Sequence, residues 1–394
     1  MPDGKPDDAP AILQIVPSLD IGGAERTTID IAAALVANGM RALVASEGGR
    51  LESELLAAGG ELIRMPVASK NALTLWRNAG AIARLIRERN IVLVHARSRA
   101  PAWSARIATR RTDIPFVTTY HGIYNARGPL KRRYNSVMAR GDAVIANSEW
   151  TKQHILSTYG FEPTHLTVIP RGLDLKRFDP QAVAPERVAA LRELWGVKEG
   201  MRVILLPGRL TRWKGHPVFL RALARLNEEG RLPAVVRAVI AGDAQGREGY
   251  VHEVESGIAD RGLHDVVKVA DHITDMPAAY LAADIVVSAS TDPEAFGRVP
   301  PEAGAMGRAV IATDHGGARE TVLAGESGLL VTPGSARAMA DALARLLALS
   351  PAELAAMGAK GRAHITANYT VERMCAATLD LYRLLLEERV REAQ

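Results

Sequence analysis

Short apolar runs alternate with longer amphipathic stretches along most of this chain. Residues 12–18, 41–46, 91–95, 116–119 and 142–146 are rich in Val, Ile, Leu and Ala and read as buried strands. Between them, residues 24–38, 71–89, 101–110 and 149–159 carry apolar positions at helical spacing. A second series of strands is predicted at 202–207, 235–241, 266–269, 284–288 and 309–313. Such alternation predicts α/β architecture, with parallel sheets and right-handed crossovers. Residues 170–200 interrupt it, with Pro170, Pro180 and Pro185 and no clear strand. The domain boundary is expected there, giving a first domain over 1–185 and a second over 186–370. Residues 371–392 form one long amphipathic helix with Leu379, Tyr382, Leu385 and Leu386 on one face. Doubly wound domains bind ligands at the carboxyl ends of their strands, so the expected site is a cleft between the two domains.

Composition changes this picture little. The 394 residues are 47% hydrophobic and 24% charged, ordinary for a globular chain of two domains. A single cysteine, Cys375, permits no internal disulfide and fits a reducing compartment. The first ten residues, MPDGKPDDAP, have no apolar core of a signal peptide. No apolar run reaches the ~18 residues of a spanning helix, so a cytoplasmic place is expected.

Charge changes it more. The net charge is +5, unevenly placed: residues 1–185 hold 24 Lys and Arg against 17 Asp and Glu, the remainder 25 against 27. Within residues 77–140 there are 14 basic side chains and only two acids, Glu88 and Asp113. Arg127, Lys131, Arg132 and Arg133 crowd around Gly128 and Pro129. Such a region suits an anionic membrane surface or an acidic acceptor, and allows a peripheral place on the inner face of a plasma membrane. It lacks the interleaved aromatics that stack bases, so nucleic acid is not the expected partner.

Residues 291–307, TDPEAFGRVPPEAGAMG, follow a predicted buried strand and end in a small-residue helix opened by Pro300 and Pro301. Gly297 lets backbone approach a ligand, and the amides of residues 297–299 with the helix dipole favour an anion. Glu294 and Glu302 flank that place. Carboxylates accept hydrogen bonds from hydroxyls and amides hold phosphate, so the layout fits a ligand sugar-like at both ends and phosphate in the middle. Upstream, Gly22 and Gly23 mark a strand-to-helix turn, and His121-Gly122 follows a strand end. Arg209 and Lys214, in LPGRLTRWKG, follow another strand and suit a pyrophosphate; Arg212 between them could instead be solvated. A second Gly-Gly turn stands at residues 316–317. No Asp-x-Asp occurs, nor H-E-x-x-H, Cys-x-x-Cys or a P-loop, so no metal or other cofactor is expected.

Glu294 and Glu302 with seven residues between them, and Phe-Gly after the first, resemble the E-x7-E motif of the retaining GT-B glycosyltransferases, most similar to family 4. The resemblance runs from about residue 12 to the last helix. It implies two facing Rossmann-like domains, with the helix over 371–394 crossing back to the first. It implies transfer of a hexose-type sugar from a nucleotide diphosphate to a glycan or lipid-linked acceptor, as in cell-envelope polysaccharide or lipopolysaccharide synthesis. Gly22 and Gly23 would lie against donor diphosphate and acceptor, and His121 would contact the donor sugar. Arg209 and Lys214, after Gly208, would hold the diphosphate and stabilise the leaving nucleotide. Glu294 would position sugar hydroxyls and Glu302 the ribose. Phe296, Gly297, Arg298 and Val299 would complete the donor loop, with Asp243 near the phosphate and His272 near the base. The family's usual Phe-x-Gly beside the base is replaced here by Val269 and Asp271, leaving the base open. A nucleotide-sugar 2-epimerase and a non-catalytic sugar-nucleotide-binding protein share this architecture and remain alternatives.

Overall fold

A computed structural model describes residues 9–20, 22–124 and 128–392. The chain forms two compact units, residues 1–172 with 371–394, and residues 173–370. In the first unit the order is β1 (Ala11–Ile15), α1 (Gly23–Ala37), β2 (Arg41–Ser46), α2 (Glu52–Ala57), β3 (Glu61–Arg64), α3 (Ala72–Glu88), β4 (Ile91–Ala96), α4 (Arg99–Thr112), β5 (Phe116–Tyr120), α5 (Pro129–Asn135), β6 (Ala143–Ala146), α6 (Glu149–Tyr159) and β7 (His165–Val168). The second unit contains α7 (Pro185–Leu194), β8 (Arg202–Pro207), α8 (His216–Glu228), β9 (Val236–Ala241), α9 (Glu248–Ala259), β10 (Val267–Ala270), α10 (Met276–Ala282), β11 (Ile285–Ser288), α11 (Val299–Ala305), β12 (Ala309–Thr313), α12 (Ala318–Thr321), β13 (Gly328–Val331), α13 (Ala336–Leu347) and α14 (Pro351–Asn368). The last helix, α15 (Val371–Glu392), returns to the first unit.

Both sheets are parallel, in the orders β3-β2-β1-β4-β5-β6-β7 and β10-β9-β8-β11-β12-β13. Each is doubly wound, with apolar clusters on both faces. The order reverses between β1 and β4 in one unit and between β8 and β11 in the other. At such a reversal the flanking loops diverge and leave a crevice at the carboxyl ends of the strands. α15 lays Met374, Leu379, Tyr382 and Leu385 on the same cluster as Ile29, Ile31 and Leu35 of α1.

The chain passes between units at Gly172 and Leu173, earlier than its prolines suggest. The Leu173 amide bonds the Tyr369 carbonyl at 2.8 Å, and Phe178 and Val183 pack into the second unit's core, so residues 173–185 go with that unit. Strands β3, β7 and β13 are additions to the sequence reading. All three are four-residue edge strands.

Candidate active site

In the second unit, the turn after β8 is packed against two other strand ends. A Cβ on Gly242 would lie 1.7 Å from the Gly208 carbonyl, and one on Gly215 1.9 Å from that of Ala289. Gly215 also has φ +80°, which α8 needs at its N-cap. A 3-10 turn at Arg212–Lys214 then sets the Lys214 ammonium 4.6 Å and the Arg209 guanidinium 5.9 Å from the Trp213 ring centre. Arg212 points elsewhere, pairing with Glu253 over the Tyr250 ring.

Glu294 stands beside this cation pair, after β11. Its Oε1 accepts from Lys214 Nζ at 2.8 Å and from Ser290 Oγ at 2.6 Å. Burial pushes the Glu294 carboxyl up, but the Lys214 ammonium and the two hydrogen bonds outweigh it, so the group stays ionised below its usual range. The loop is held from behind by the second Gly-Gly turn. Gly317 N donates to Glu294 O at 3.0 Å, and Cβ atoms on Gly316 and Gly317 would stand 2.1 and 2.3 Å from the Glu294 and Phe296 carbonyls. Gly297 adopts φ +74° and turns the chain into α11.

Glu302 is buried in α11 with both oxygens engaged, Oε1 by Arg298 Nε at 2.8 Å and Oε2 by the Tyr280 hydroxyl at 2.8 Å. Phe296 faces the core, its ring 5.9 Å from that of Tyr369, so only its backbone borders the loop.

In the first unit, Gly22 caps α1, and a Cβ on Gly23 would lie 2.0 Å from Arg171 Nη1. Arg171, after β7, donates from Nη2 to His121 Nδ1 at 3.1 Å and to its carbonyl at 3.2 Å. His121 Nε2 lies 3.4 Å from Nη1 of Arg97, a buried residue after β4 whose Nε donates to Gln14 Oε1 at 3.0 Å. Burial, Arg171 and Arg97 together hold the His121 imidazole well below the usual histidine range. Each unit thus gathers polar side chains at the reversal of its own sheet.

Two family models match the chain: "Glycosyltransferase Family 4" over residues 21–177 and "Glycosyl transferases group 1" over residues 189–364. A D-inositol 3-phosphate glycosyltransferase of Xylanimonas cellulosilytica is 32% identical, covering 72% of this chain and 69% of its own. The chain belongs to the family 4 glycosyltransferases. A glycosyltransferase from Rickettsia africae superposes with a TM-score of 0.87 at 34% identity, covering 96% of this chain and 99% of that one. HepE of Anabaena, in complex with UDP-glucose, gives 0.79 at 27% identity, with 94% and 99% covered. The two parallel sheets match such GT-B glycosyltransferase structures.

In this glycosyltransferase, Gly208, Arg209, Lys214, Glu294, Gly297, Arg298, Val299 and Glu302 gather at the β8–β11 side of the second sheet. Asp243 caps its own turn, accepting from Gln245 N at 2.8 Å, while its carbonyl accepts from Leu210 N. His272 is exposed after β10. Lys131, Arg132 and Arg133 are exposed on α5; Arg127 lies outside the described residues. Sequence reasoning passed over Ser290, Tyr280, Arg97 and Arg171. The one local sign was Arg171 itself, a cation next to Gly172.

Proposed function

We propose that this glycosyltransferase moves a hexose from a nucleotide diphosphate sugar to a glycan or lipid-linked acceptor, with retained configuration and without a divalent metal. The observation that carries the reading is the Lys214–Glu294 pair beside an exposed Arg209, at the reversal of the second sheet. Two permanent cations suit a diphosphate, and an ionised carboxylate beside them suits sugar hydroxyls. The likeness to HepE bound to UDP-glucose supports a nucleotide-hexose donor. As the bond to the sugar breaks, Arg209 and Lys214 stabilise the charge growing on the departing phosphate. Glu294 is kept ionised by Lys214 and orients the hydroxyls. Glu302, fixed by Arg298 and Tyr280, accepts from the ribose. No carboxylate is assigned as a nucleophile, so the leaving phosphate takes the acceptor's proton in a front-face route.

The acceptor belongs to cell-envelope polysaccharide or lipopolysaccharide synthesis, collected by the first unit at an anionic cytoplasmic membrane face. Among the described residues no single helix is long and apolar enough to cross a membrane, and the proposed contact is a peripheral one.

The test incubates the protein with a panel of labelled sugar nucleotides, with and without lipid-linked glycan and with excess EDTA, and assigns the product anomer by NMR. Label entering the lipid fraction with the donor's configuration, in EDTA, is the expected result. An inverted product overturns retention, and activity restored only by magnesium or manganese overturns metal independence. Conversion of the donor to its 2-epimer without acceptor, or donor binding without turnover, gives the function to the epimerase or binding-protein reading.

A further inference from the structure

At the reversal of the second sheet one peptide group is held from both sides. The ladder between β11 and β12 ends at the pair Ser288 and Ala312, so Ser290 and His315 stand beyond it. There a side chain takes over from the ladder. His315 Nε2 lies 2.9 Å from the Ser290 carbonyl oxygen. A carbonyl only accepts, so Nε2 carries a hydrogen and donates it, whether the ring is neutral or charged. Nδ1 of the same ring is buried and meets no hydrogen-bond partner among the described residues, so no second bond pulls the ring elsewhere. The amide of the same peptide group, Thr291 N, donates to the Trp213 carbonyl at 2.7 Å. Trp213 lies in the turn after β8 and His315 in the turn after β12, and these strands are the two neighbours of β11. The Ser290–Thr291 peptide plane is therefore clamped by the loops on either side of its own.

We propose that His315 is a positioning residue, which fixes this peptide so that the Ser290 hydroxyl holds the Glu294 carboxylate toward the transferred sugar. Ser290 is 2% exposed, and its Oγ donates to Glu294 Oε1 at 2.6 Å, the same oxygen that Lys214 Nζ meets at 2.8 Å. Turning the peptide plane changes ψ of Ser290 and φ of Thr291 together, and the chain that follows carries Glu294. Removing the imidazole takes a donor from the Ser290 carbonyl and frees the plane to turn. The Gly-Gly turn acts elsewhere, behind the main chain of Glu294 and Phe296. His315 acts at the start of the loop, on the residue whose side chain touches the carboxylate. Aiming Glu294 at a sugar rests on the glycosyl-transfer reading; the clamp does not.

The test compares His315→Leu with His315→Gln, using the sugar nucleotide that the panel selects and its free nucleoside diphosphate. Leucine removes the donor, whereas the glutamine amide can place an N–H near the position of Nε2. In His315→Leu turnover should fall at least about tenfold, the order set by misplacing a catalytic group. Affinity for the sugar nucleotide should weaken about threefold or more, the scale of one hydrogen bond, while that for the nucleoside diphosphate stays within about twofold, since Arg209 and Lys214 hold it. His315→Gln should restore most of both losses. In a Glu294→Gln background His315→Leu should cost little further, because the two residues act as one unit. Nitrogen-15 ring signals of His315, assigned by their loss in His315→Gln, should show a hydrogen on Nε2 in the wild type without substrate. Should His315→Leu fail to fold, Ser290→Ala should give the same sugar-selective loss, and the ring spectrum still decides. Full turnover in a folded His315→Leu, equal loss of both ligands, costs that add fully to those of Glu294→Gln, or a ring with its hydrogen on Nδ1 alone overturns the proposal. If the ring carries Nε2–H while no sugar nucleotide is turned over, the transfer reading fails and the clamp stands.

Discussion

At the residue scale the second unit's site turns on one ion pair. Lys214 and Glu294 are largely buried, with side-chain exposures of 12% and 20%. Glu294→Gln keeps the shape and can still accept from Lys214 and Ser290, so its melting temperature should stay near that of the wild type. It removes the negative charge that the sugar and Lys214 sense, and turnover should fall at least tens-fold, by analogy with the ~2.7–4 kcal/mol of transition-state donors. Lys214→Ala should lower turnover similarly but also destabilise by roughly 1–3 kcal/mol, since Glu294 keeps only Ser290 as partner. Parallel kinetics and thermal melts check both; full turnover in either variant removes that residue from the site. Glu294, Arg209 and Lys214 were legible because glycines and neighbouring strands announce them. Arg97 was not. It meets Gln14 across 83 residues of sequence, and nothing local distinguishes a buried arginine from a surface one.

At the element scale, central strands were legible and edges were not. β1 is buried at all five positions, and four of them are apolar, with Gln14 the one polar residue. β3 and β7, at the edges of the first sheet, are half-covered and mix Glu, Arg, His and Thr with apolar residues, which removes the signal. The turn before α12 was legible as a Gly-Gly pair, but its purpose was not: it braces the Glu294 loop. Gly317 has φ −68°, which alanine tolerates, so Gly317→Ala tests the 2.3 Å approach to the Phe296 carbonyl alone. Overpacking of this kind costs about 1–3 kcal/mol, and the loop must move. Turnover should drop at least about tenfold, the order set by misplacing catalytic groups. Gly249→Ala, on α9 with no atom near its Cβ, should leave turnover unchanged. Unaltered activity in Gly317→Ala with the loop unmoved would show that the contact does not set the geometry.

At the scale of the whole molecule, protons and surface charge decide two behaviours. His95, His121 and His216 are kept neutral by burial, His216 down to about 4. Unfolded, each titrates near ~6.5, so below that pH the unfolded chain binds protons the fold refuses, and stability falls at about 1.4 kcal/mol per unit for each group. Glu294 has a depressed pKa, so its contribution is present above ~4.5 and is lost only at lower pH. Denaturant midpoints should therefore fall already between about pH 7.5 and about pH 5.5; a flat profile there would contradict the buried neutral histidines.

The proposed membrane contact rests on the basic region, which the fold thins. Of its 14 cations Arg97 is buried, Arg89 pairs with Glu61 and Arg99 bonds Asn135. Arg77, Arg84 and Arg87 remain exposed on α3, and Lys131, Arg132 and Arg133 on α5. Exposed apolar side chains accompany them: Leu130 at 83%, and Leu73 and Trp76 at 55% and 60%. Cations near an anionic bilayer contribute ~1 kcal/mol each and are screened by salt, whereas an inserted leucine or tryptophan is not. Binding to vesicles of acidic lipid should thus weaken with salt without vanishing. Replacing Lys131, Arg132 and Arg133 together by Ser should reduce pelleting, and Leu130→Ser should reduce the part that survives salt. Neither change should weaken nucleotide-sugar binding, since none of these four residues is proposed to touch the donor. Equal pelleting with neutral and acidic vesicles, or none with either, would leave this charged face as a solvated one.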